Sequence, residues 1–172
     1  CWDFMAGIHG RAKSMISRML MMAANAGGLP PSGSGQAIFG FGFSIIDESL
    51  TNLVSNSGVV STDTTGVGTA RYFLAASGYG GDKAIFGYGY QDSSNMVSSL
   101  SNLVSNTGVV STDTAGVGTA RSGLAAAGYG GDKAIFGYGY SLVNGYFSTT
   151  NLVSNAGVVA NDVIGVGTAR MY

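Results

Sequence analysis

Cysteine, histidine and tryptophan each occur once in this 172-residue chain, as Cys1, His9 and Trp2, and proline occurs only twice. Each shortage excludes something. One Cys leaves no intrachain disulfide and no thiolate cluster, and one His beside it cannot complete a zinc or copper coordination sphere. With His9 alone, and remote from the repeated part of the chain, a Ser-His-Asp or Cys-His constellation has no base at hand. Charge is scarce as well. Eight basic residues against nine acids give a net charge of −1, with no basic excess to neutralise phosphates, which argues against nucleic acid. Few prolines and no three-residue Gly period exclude collagen, and 45% apolar content excludes a disordered, highly charged chain. Long apolar runs are missing: Arg18 interrupts the best one, so no transmembrane helix is expected.

Gly, in contrast, is plentiful. There are 29, far above the usual share of about 7%, and most fall in repeats. TNLVSNSGVVSTDTTGVGTAR at 51–71 returns as SNLVSNTGVVSTDTAGVGTAR at 101–121 and as NLVSNAGVVANDVIGVGTAR at 151–170. AIFGFGF at 37 returns as AIFGYGY at 84 and again at 134, and LAAxGYGGDK occupies 74–83 and 124–133. The chain therefore divides into residues 1–36 and three repeats of close to fifty residues, 37–83, 84–133 and 134–172. All five bases and eight acids of the repeats leave them at net −3, whereas residues 1–36 carry three bases and one acid.

Turn chemistry and period give the elements. LAAAGYG and KAIFGYGY are two apolar stretches joined at Gly131-Asp132, a pair suited to a two-residue hairpin loop. In the second arm Ile135, Gly137 and Gly139 alternate with Phe136, Tyr138 and Tyr140, which at period two puts aromatics on one face and a Gly face on the other. The Gly face is expected to admit a close neighbour. NLVSNxGVV and GVGTAR read as two further short strands around a Thr-Asp-Thr turn. Four short strands per fifty residues is the pattern of a propeller blade.

The order Arg, Ala-rich strand, short turn and apolar strand ending in Gly (RSGLAAAGYG, DKAIFGYG) resembles the kelch motif of β-propellers over Ala37–Tyr172. DKAIFGYGY followed by NLVSNTGVV and GVGTAR is similar to Gly/Tyr-rich repeats of tailed bacteriophages and environmental bacteria. The kelch double Gly is here Gly-Tyr-Gly, and the Trp late in each blade is absent. The resemblance implies a mainly β, kelch-like propeller fold, and an origin in a virion or outside the cell. Three blades make an incomplete ring. After Arg170 another LAAAGYG strand is due, and Leu29-Pro30-Pro31 stands where it would precede Ala37. Either the chain belongs to a longer protein, or copies share a ring, or other proteins cover the edges; an assembly is expected because open edges aggregate.

Residues 5–26 are expected to form an amphipathic α-helix, with Ile8, Ala12, Met15, Ile16, Met19, Leu20 and Ala23 on one face and Gly27-Gly28 and Pro30-Pro31 stopping it. Five of the seven Met lie there. Met15, Met19 and Met22 are candidates for docking onto a partner, or the same stripe packs on the repeats themselves.

Catalytic sets are nearly absent from the repeats. Asp63, Asp113 and Asp162, like Asp82 and Asp132, recur at equivalent turns, where capping explains them better than a metal or a glycosidase pair. Arg71, Arg121 and Arg170 recur once per repeat, for an ion pair with a repeat Asp or for an anion at a ring centre. Tyr88, Tyr90, Tyr138 and Tyr140 serve either inter-blade packing or sugar stacking. The variable stretches 44–50, 91–100 and 141–149 are expected to be loops and the places for recognition, which singles out Asp47, Glu48, Asp92, Asn95, Asn144 and Tyr146 as candidate contacts. No catalytic, cofactor or metal residue is assigned. The expected function is therefore a non-enzymatic structural or interaction protein, partnered by itself, by other structural proteins or by glycans.

Overall fold

The structure is a computed structural model that describes residues 36–172. The expected helix and the candidates Met15, Met19 and Met22 lie outside those residues. Among the described residues the fold is mainly β with no helix, in four small antiparallel sheets that close no ring.

The first sheet pairs β1 (Ala37–Phe43) with β2 (Asp47–Val54). The second is a meander of β3 (Ala75–Tyr79), β4 (Lys83–Gln91) and β5 (Met96–Val104). The third joins β6 (Ala125–Tyr129) and β7 (Lys133–Gly137) to β10 (Thr150–Val153), while β8 (Tyr140–Ser141) and β9 (Gly145–Tyr146) form a separate small hairpin. Beyond β2, β5 and β10 the chain folds back and touches the same strand at two isolated bridges per repeat, for example Ser101↔Thr114 and Val104↔Val110. GVGTAR, expected as a strand, is irregular. Its backbone is engaged elsewhere: the Arg71, Arg121 and Arg170 carbonyls accept from the Gly42, Gly89 and Gly139 N–H groups.

Two local expectations change. The hairpin loops hold three residues, since Tyr79↔Lys83 and Tyr129↔Lys133 are paired, and both Gly130 (φ 61°) and Gly131 (φ 82°) are left-handed, so the extra Gly is what turns the chain. Nor does the aromatic strand alternate cleanly. The β4–β5 register shifts between Gly87 and Gly89, and Tyr88 stands at φ 65°, with Phe41 (61°) and Tyr138 (66°) in the same state. A bulge at this point re-aims the ring, so Ile85, Phe86 and Tyr88 are all buried.

The core lies between sheets rather than within one, as expected for elements with one apolar face each. Phe41, Phe86, Val104 and Val110 fill the first seam; Tyr79, Ile85, Tyr88, Leu124, Phe136 and Val153 fill the second. The Gly face does admit a neighbour, and the neighbour is an aromatic ring from the following sheet: Phe86 lies over Gly40 and Phe136 over Gly87. Edge-to-face pairs complete both seams, Phe41 with Phe86 at 5.2 Å and Tyr88 with Phe136 at 5.3 Å. Each such pair is worth about 0.5–1.5 kcal/mol beyond its burial.

Candidate functional site

The charged and amide residues that recur once per repeat converge on these seams. Arg71 is fully buried. It donates through Nε to the Tyr88 carbonyl at 2.7 Å, through Nη2 to Asn102 Oδ1 at 2.6 Å and through Nη1 to the Thr69 carbonyl at 2.9 Å, and its guanidinium lies 4.4 Å from the Phe41 ring centre. Arg121 repeats the arrangement one seam on, with Tyr138, Asn151, Thr119 and the ring of Tyr88. Each Asn in turn donates to an Asp eleven residues later, Asn102 to Asp113 and Asn151 to Asp162. Those carboxylates reach back across the seam: Asp113 accepts from the Thr69 N–H and hydroxyl, Asp162 from those of Thr119.

The expected Arg–Asp ion pair is thus the weakest of these contacts, 3.8 Å in both seams, and it joins different repeats. Hydrogen bonds to carbonyl and amide oxygens satisfy the guanidinium instead. Burial pushes Arg71 down to about 10, opposed by the charge of Asp113. Burial pushes Asp113 and Asp162 up, but the Thr hydroxyl, the Asn amide, the Thr N–H and the Arg charge outweigh it and hold both carboxyls below the usual range. The two seams together explain the left-handed Tyr88. A non-Gly residue there costs about 1–3 kcal/mol, whereas its carbonyl receives a bond from a charged donor, worth about 1.5–3 kcal/mol, and its ring carries Arg121, worth about 0.5–2 kcal/mol.

The candidate contact residues gather at the hairpin tips. Much of the first two variable stretches is strand rather than loop: Asp47 and Glu48 begin β2 opposite Phe43 and Gly42, and β5 begins at Met96. Asp47 Oδ2 accepts the Asp92 N–H at 2.7 Å, tying one tip to the next, while its Oδ1 is buried without a partner among the described residues. Glu48 accepts from the Ser44 hydroxyl at 2.7 Å. Asn95 takes a left-handed turn position (φ 52°) and accepts from the Tyr90 hydroxyl. Asn144 bonds through its N–H to Ser141 Oγ in the turn before β9, and Tyr146 leans on Tyr140 at 5.1 Å while half exposed. Tyr88 is core, not a sugar platform. The tips also expose apolar side chains: Ile45 and Ile46 at the first, Met96 at the second, Leu142 and Val143 at the third.

No three His, Cys, Asp or Glu residues among those described are placed to hold a metal, and no helix among them is long and apolar enough to cross a membrane. The chain matches no protein-family model and no curated protein. Asn102 and Asn151, together with Thr69 and Thr119, are the seam residues that sequence reasoning passed over. Their signal was there, since Asn52, Asn102 and Asn151 each recur with an Asp eleven residues on.

Proposed function

We propose that this chain is a non-enzymatic structural or interaction protein that assembles through its β repeats, with the repeats acting as kelch-like propeller blades, in a tailed-bacteriophage virion or a comparable extracellular assembly. The virion setting rests on the repeat resemblance alone. The assembly reading is carried by one observation: three hairpin tips that differ in sequence all expose large apolar side chains, Ile45, Ile46, Met96, Leu142 and Val143, beside an otherwise repetitive scaffold. Exposed apolar groups at the tips of hairpins fit contact with protein. In the two seams Arg71, Arg121, Asn102, Asn151, Asp113 and Asp162 hold sheets together, a structural use of the repeated polar residues that supports this reading. Static light scattering tests the reading. A particle heavier than one chain is expected, and a mass that stays at one chain up to high concentration refutes it.

A glycan-binding module of an appendage is the second reading, favoured by the exposed Tyr146 stacked on Tyr140 next to Asn144. Reproducible binding on a glycan array, lost in Tyr146→Ala, would establish it in place of the first.

A further inference from the structure

The seam is a repeated joint, and the described stack shows half of that joint at each end. At one end, Arg170 lies over the Tyr138 ring at 3.7 Å as its counterparts lie over Phe41 and Tyr88, yet it is exposed, and among the described residues its only side-chain hydrogen bond is to the Thr168 carbonyl. Gly137 lacks the ring that covers Gly40 and Gly87, and Leu152 is exposed where Leu53 and Leu103 touch the following repeat at Gly108 and Gly157. At the other end, Asn52 holds Asp63 as Asn102 holds Asp113, but neither meets an Arg or a Thr among the described residues. Nothing lies within 4 Å of the side-chain position of Gly58, the equivalent of Gly108 and Gly157.

We propose that these ends are the two halves of one interface, and that the partner of the Arg170 face is the Asn52/Asp63 face of a second copy of this chain. The proposal rests on the assembly reading and names its contacts. Arg170 donates to Asn52 Oδ1 and the Phe41 carbonyl, Asp63 accepts from Thr168, Phe39 covers Gly137 and Gly58 meets Leu152. Charge and shape agree because the two internal seams already realise this set of contacts twice. Such a contact is heterologous, so copies add head to tail.

Complementary variants of the full chain test it. Arg170→Ala cripples one face and Asp63→Ala the other; both residues are exposed, so each variant is expected to fold, which circular dichroism checks. Each alone is expected to raise the self-dissociation constant at least about tenfold, the scale of one charge-assisted bond. Mixed in equal amounts, they retain one intact pair of faces and are expected to stop at a dimer. If the assembled mass is unchanged in both variants, end-to-end docking is overturned while assembly through the tips stands; if the unaltered chain is always a monomer, both readings fall. If Arg170→Ala lowers the assembled mass and Asp63→Ala does not, the Asn52/Asp63 face is not the partner of the Arg170 face and the docking is again overturned.

Discussion

Arg71 and Arg121 show how a strongly hydrated group is kept in a protein interior: each of the three guanidinium nitrogens donates to an oxygen held by backbone or by an amide. Removing one of those oxygens leaves the charge buried and underbonded, which costs far more than the bond's net worth. Asn102→Ala is therefore expected to destabilise the chain by about 3 kcal/mol in urea unfolding. Asn52→Ala, the same change where no Arg among the described residues calls on the side chain, should cost about 1 kcal/mol. Equal losses would show that the amide matters only to its own repeat. That these Arg serve structure was legible in their recurrence; that their main partners are Asn and carbonyl oxygens was not, because a count of charges points to Asp.

Among the elements, the aromatic strand carries the design. Its Gly residues make room for the next sheet's Phe, so a methyl group there meets a ring: an added Cβ on Gly87 falls 2.7 Å from Phe136 Cζ, deep in the second seam. Gly87→Ala is expected to cost about 1–3 kcal/mol by overpacking. At the equivalent Gly137 the nearest atom is Thr150 Cγ2 at 3.2 Å, so Gly137→Ala should be nearly neutral in the isolated chain; comparable thermal shifts in the two variants would overturn the packing account. Alternation of Gly with aromatics announced a close approach. The bulge stayed hidden because it is made by the left-handed Tyr88, a conformation no Tyr prefers locally and which the seam's Arg contacts stabilise.

For the molecule as a whole, cohesion runs between sheets, through two apolar seams and the Asp113 and Asp162 staples across them. Both carboxyls titrate below their ordinary value in the folded state. Folding therefore holds them deprotonated, and their contribution is complete above about pH 4 and lost as pH falls through the lowered native value. Stability followed by urea unfolding is expected to drop below about pH 4, with the drop reduced in the Asp113→Asn, Asp162→Asn double variant; an acid response identical to that of the unaltered chain would remove the staples from the account.

The three repeats, their β character, their hairpins and their scarcity of catalytic groups follow from residue order alone, because turns, Gly spacing and apolar period act over a few neighbouring positions. Which groups meet across a seam does not. Thr69 and Asp113 are 44 residues apart, and nothing in either segment names the other until two sheets stack and exclude water. Burial then makes each unpaired donor costly, and that cost selects the partners.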